Sequence, residues 1–147
     1  MNVLDPESED ADNIVAVYLI VNDGEFPMSP GKLASQAFQA CQRLLSAAAN
    51  GEATAEQTQA MEAWKRGHTR TITKFAPTRH LFDRARSEIA GVTMVDEGLT
   101  EGTCGPTVYV TWPLRRGELG RMLRHKRLRL NPSTLCEQNA MTGEYTS

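Results

Sequence analysis

The feature that most constrains this chain is an unbroken apolar run, IVAVYLIV at residues 14–21, followed by a Gly/Pro-rich turn and a helix-compatible pattern that reaches Gln36. Eight consecutive apolar residues, several β-branched or aromatic, cannot alternate between core and solvent. The run therefore predicts a strand buried on both faces, as in a parallel or mixed sheet. Ser29 then stands where an N-cap belongs and Pro30 at the first helical position, which makes Lys32 the third. A helix start carries partial positive charge, so a lysine there is explained best by a negative group that meets it.

The 147 residues suffice for one domain with a real core. No apolar run approaches the roughly 18 residues that cross a bilayer. Residues 1–12 have no basic or apolar segment of a secretory signal, and Cys41, Cys104 and Cys136 show no Cys-x-x-Cys spacing. The expectation is a soluble, cytoplasmic protein with no membrane partner. Its formal charge of −2 is unevenly spread. Residues 1–12 hold five of the 18 acids and no base, which leaves 16 basic against 13 acidic residues in the remainder. Arg115, Arg116, Arg121, Arg124, Lys126, Arg127 and Arg129 face a single Glu118. Such a stripe can follow a phosphate backbone, or it can be a solvated helix face.

Along the chain, residues 1–12 read as a disordered acidic lead. Apolar residues between positions 32 and 49 recur at helical spacing, and Asn50 with Gly51 stops that helix. Thr54 caps a second helix to about Arg66, closed by Gly67 and His68. A half-wet strand follows at 70–75, then a helix opened by Pro77 and Thr78 that runs to about Ala90. A short strand at 92–95 runs into a polar turn at 96–98, and the TVYVTW strand at 107–112 ends at Pro113. Gly117 leads into a basic final helix, and residues 131–147 read as a mobile tail. The order strand, helix, helix, strand, helix, strand, strand, helix predicts an α/β fold. It is a single three-layer domain at 13–130, with a four-stranded mixed sheet flanked by helices on both faces. Trp64 reads as a core anchor and Cys41 as a buried helix residue.

MSPGKLASQ at 28–36, Trp64 and Gly67 before the TITK strand, VDEGLTE at 95–101 and TVYVTWP at 107–113 resemble, in order and spacing, the Pth2 family of peptidyl-tRNA hydrolases. The resemblance covers about residues 14–130. It implies hydrolysis of the ester that joins a peptide to the terminal ribose of its tRNA, with peptidyl-tRNA as partner and no metal or cofactor. Carried over residue by residue, the matches are Asp23, Met28, Gly31, Lys32, Gln36, Asp96, Gly98, Thr100 and Thr107. The family's polar active-site positions fall on Lys32, Asp96, Thr100 and Thr107. Pro30, Gln39, Leu99 and Glu101 stand where the family usually has lysine, histidine, arginine and glutamine, and the turn before Met28 is about two residues longer.

Hydrolysis of a carboxylic ester needs a carboxylate to orient water, and a cation or donors where the oxyanion forms. Asp96 and Lys32 are the candidates, with Thr100 and Thr107 supplying hydroxyls. Lys32 and Asp96 are expected at the strand-end site rather than packed in the core. Asp23, Gln36, Arg115, Arg116, Arg121, Arg124, Lys126 and Arg127 are candidates for holding substrate. Gln36 fits equally a site hydrogen bond or a helix-to-loop bond. His68, His80 and His125 fall outside the matched motifs, and no cysteine lies beside a convincing base. Two alternatives stay open, a tRNA- or RNA-binding module of this fold without turnover and a domain that serves small molecules or protein partners. Homodimerisation is also open.

Overall fold

The computed structural model describes residues 14–97, 104–118 and 128–132. The lead at 1–12 and most of the 131–147 tail lie outside the described residues. Strand β1 (Val15–Val21) is buried almost throughout and is central, as its continuous apolar run requires. It pairs in parallel with β2 (Thr71–Phe75) and antiparallel with β4 (Cys104–Thr111), which pairs antiparallel with β3 (Gly91–Glu97). The strand order is β2-β1-β4-β3. β1, β2 and β3 thus point the same way, and β4 runs against them.

Helix α1 (Pro30–Ala49) begins as its sequence dictates. Ser29 caps it, its Oγ accepting from Lys32 N at 3.3 Å, and Pro30 opens it. Thr54 and Gln57 form a reciprocal capping box at the start of α2 (Ala55–Arg66). Thr78 caps α3 (Arg79–Glu88), so this helix starts just after Pro77–Thr78 and stops short of Ala90. Val17, Leu19, Val21, Met94, Val108, Val110 and Trp112 project to one face, where they pack against Ala40, Leu44 and Ala47 of α1 and Met61 and Trp64 of α2. Ala16, Tyr18, Ile20 and Tyr109 project to the other, against Phe82 and Ala85 of α3. These two cores make the three layers. Trp64 is the expected anchor, and its Nε1 donates to Arg70 O at 2.9 Å.

Three expectations need correction. First, β3 does not stop at Val95: Asp96 pairs with Gly105 and Glu97 with Cys104, so Asp96 belongs to the strand rather than a turn. Its partner strand also starts earlier than the expected Thr107, because Gly105 and Pro106 are taken up in the ladder.

Second, the chain past Pro113 does not enter a helix directly. Pro113 lacks an N–H and the ladder breaks there. Thr111 Oγ1 accepts from Tyr18 N at 3.1 Å, and a two-residue β5 (Leu114–Arg115) resumes pairing with β1, one residue out of step. Arg116–Glu118 is a 3-10 turn, so Arg115 and Arg116 are not on the expected helix. The body of that helix lies outside the described residues. Third, Arg129 forms an antiparallel bridge with Phe75 that covers part of the β2 edge.

Leu44→Ala and Phe82→Ala should cost about 2–5 and 3–5 kcal/mol respectively in urea unfolding. Because the two side chains lie on opposite sides of the sheet, the double variant should show their sum to within about 0.5 kcal/mol. Strong non-additivity would contradict two separate cores.

Candidate functional site

The buried stripe of α1 reads Lys32, Gln36, Ala40, Leu44, Ala47. Its first turns are polar and the rest apolar, although one helix face carries all five. The polar end lies over the carboxyl ends of the parallel strands, where open α/β sheets form ligand sites. Met94 of β3 points into the α1 core, so Asp96, two residues on, points to the same side. Lys32 Nζ and Asp96 Oδ2 meet there at 2.7 Å, with side chains only 4% and 7% exposed. The expectation that neither packs in the core is therefore overturned. The negative group that meets Lys32 is the chain's own Asp96.

Thr107 reaches the same place through a bulge. β3 and β4 pair Met94 with Val108 but Val95 with Pro106, which leaves Thr107 as the extra residue of β4. A bulge re-aims a side chain that strict alternation would send to the other face. Thr107 Oγ1 accordingly donates to Gln36 Oε1 at 2.6 Å and lies 3.4 Å from Met94 O. Gln36 thus makes a helix-to-strand bond within the site. Lys32, Gln36, Asp96 and Thr107 are all buried and come together, and Asp23 is buried in the turn that leaves β1.

The remaining candidates do not join them. Thr100 lies outside the described residues, as do Arg121, Arg124, Lys126 and Arg127. Arg115 and Arg116 are exposed at the opposite end of the sheet, where Arg115 pairs with Val15. Val15, opposite Arg115, lies six residues before Val21, which is level with Val108 and Met94, so Asp96 is eight residues further along the sheet, roughly 26 Å at about 3.3 Å per residue.

Sequence reasoning read a turn at 22–28 but missed how it is tied to the rest of the fold. Asn22 is fully buried: its N donates to Thr107 O at 2.8 Å and its Nδ2 to Pro106 O at 2.9 Å. Its Oδ1 is a buried acceptor with no donor among the described residues. Gly24 N donates to Ala76 O at 3.0 Å, and a Cβ on Gly24 would fall 1.9 Å from Pro77 O, so only glycine fits. The Arg79 guanidinium holds both oxygens of Glu25, at 3.0 and 2.9 Å, and both oxygens of Asp83, each at 3.0 Å. The hydrogen bond from Arg79 holds the Glu25 carboxyl below its ordinary value of 4.5. An Asn-Asp pair directly after a buried strand was a signal that the turn is built in. Nothing in the sequence linked Glu25 to an arginine on α3.

Burial raises the Cys41 thiol, the opposite of what activates a cysteine nucleophile. No group of three or more His, Cys, Asp or Glu suited to a metal occurs among the described residues. Nor is any described helix long and apolar enough to cross a membrane. No protein-family model matches the sequence, and no curated protein matches it.

Removing one member of the ion pair leaves the other charge buried. Lys32→Met and Asp96→Leu should each lower unfolding stability by about 3–5 kcal/mol, and the double variant should recover most of it. Equal losses that simply add would contradict a coupled pair. A second test follows from Glu25. Its carboxyl is depressed in the fold, so its contribution is present above the unfolded value of 4.5 and is lost as pH falls through the lower folded value. Arg79→Gln should therefore shrink the loss of stability seen between pH 5 and pH 3 by denaturant titration. An unchanged pH profile would contradict the link.

Proposed function

We propose that the protein hydrolyses peptidyl-tRNA, freeing the peptide by direct attack of water on its ester. The observation that carries this reading is the Lys32–Asp96 pair with Gln36 and Thr107 at the carboxyl ends of the parallel strands. Three of them, Lys32, Asp96 and Thr107, are positions onto which the motif resemblance carries the family's active site, and Gln36 is one of its further matches.

Each group has a role suited to its chemistry. The Asp96 carboxylate orients the attacking water and accepts its proton as the tetrahedral centre forms; when that centre collapses the ester C–O bond to the ribose breaks, and the proton passes from Asp96 to the departing ribose oxygen. The Lys32 ammonium stabilises the developing oxyanion, in a setting dry enough for that charge to count. Gln36 and Thr107 hold one another and fix the floor of the site. No covalent intermediate is needed, in keeping with the raised Cys41 thiol. Arg115 and Arg116, with Arg121, Arg124, Lys126 and Arg127, would contact the RNA backbone. The substrate arises in the cytoplasm, the compartment proposed for this chain.

One observation favours the alternative of a binding module without turnover: Lys32 and Asp96 are engaged with one another and nearly closed off. The two readings separate in one assay. Full-length protein given N-acetyl-aminoacyl-tRNA should release free tRNA. The Lys32→Met/Asp96→Leu double variant, expected to stay folded, should lose about 100-fold or more, as when a principal electrostatic stabiliser is removed. A gel shift without release by the parent would establish the module. Turnover by the double variant within about twofold of the parent would overturn the roles assigned to the pair.

A further inference from the structure

Phe26 sits in the turn that is about two residues longer than the resembling family has, and its ring has one defined resting place. Gly105 adopts φ +149°, and a Cβ built on it would lie 2.8 and 2.9 Å from two carbons of the Phe26 ring. Gly105 is the direct cross-strand partner of Asp96. Directly opposed residues of an antiparallel pair project to one face with Cβ positions about 4.5–5.5 Å apart. The Phe26 ring therefore occupies the space beside the Asp96 side chain, on the α1 side of the sheet. It remains half-exposed.

The turn that carries Phe26 is held on every side. Phe26 N donates to Asn22 O at 3.0 Å, Asn22 is tied to Pro106 and Thr107, Gly24 lies against Pro77, and Glu25 is gripped by Arg79. An aromatic ring presented so rigidly beside a polar pair is organised before any ligand arrives, which favours a flat partner of constant shape.

We propose that Phe26 is the surface on which the terminal nucleobase of the RNA stacks, setting the ester over Lys32 and Asp96. This rests on the hydrolase reading for the identity of the ligand. Two groups flank the ester in such a substrate: the peptide's last side chain, which varies, and the terminal base, which does not. A rigid aromatic wall matches the invariant one, and stacking on an aromatic side chain is a general means of holding a base. Phe26 is a substrate-contacting residue in this account and takes no part in proton transfer.

The test compares parent, Phe26→Ala and Phe26→Tyr on N-acetyl-aminoacyl RNA with a normal terminal adenosine and on the same ester with an abasic terminal ribose. On the adenosine substrate, Phe26→Ala should raise KM about tenfold, or about 1.4 kcal/mol, with kcat within about threefold. Phe26→Tyr should match the parent. On the abasic substrate, parent and Phe26→Ala should have the same KM, because no base remains to stack. An equal loss on both substrates would make the ring a structural wall and overturn the proposal, as would no loss on either.

A binding arm keeps this result separate from the fate of the hydrolase reading. Uncharged RNA hairpins with an intact or an abasic last nucleotide are titrated by fluorescence anisotropy. Phe26→Ala should weaken only the intact one. Base-dependent weakening without release by the parent would uphold stacking and sink the hydrolase. Release by the parent with no base-dependent effect of Phe26→Ala would do the reverse.

Discussion

The buried ion pair between Lys32 and Asp96 joins the first turn of α1 to the end of β3, and the geometry at this end of the molecule is arranged around it. Burying two charges costs several kcal/mol per ion, and a well-packed apolar pair of the same volume would hold helix and strand together at least as well. Stability alone therefore does not account for charges at this position. The apolar stripe of α1 gives way to polar residues where the helix passes over the strand ends, so the switch from core to site is written into one helix face.

The architecture was legible because it follows from local chemistry. The continuous run of β1 demanded cover on both faces, and α1 with α2 on one side and α3 on the other supply it. The caps at Ser29 and Thr54 were readable because each side chain serves backbone donors three residues ahead. The ends of β3 and β4 were not readable. Asp-Glu-Gly and Gly-Pro are turn signals in isolation, and only pairing of one strand with the other makes them ladder residues. Neither was the break at Pro113 read beyond its ending a strand, because resumption as β5 depends on the amino end of β1 being available to pair.

Within the site, residue identity was more visible than environment. Lys32, Gln36, Asp96 and Thr107 could be picked from motif order, but period-two reasoning sends Thr107 to the wrong face. Only the bulge opposite Val95 brings its hydroxyl to Gln36. The burial of Lys32 and Asp96 was missed for a related reason: Asp96 was read as a turn residue, and only the ladder that carries β3 on to Glu97 holds it inside the structure against the start of α1. The Glu25–Arg79 fork is equally non-local. The basic residues divide differently, since Arg115 and Arg116 stand at the far end of the sheet, away from the ion pair.

The central claim is that the Lys32–Asp96 pair is a centre that meets substrate and is more than a strut. The most direct measurement is isotope-detected NMR of Lys32 Nζ and Asp96 Cγ during titration with a non-hydrolysable amide analogue of peptidyl-adenosine. The account predicts that both resonances shift and saturate together at one dissociation constant, as the analogue's carbonyl takes up part of the Lys32 hydrogen bonding. Unmoved resonances at saturating analogue would contradict it and leave the pair as a buried tie between α1 and β3.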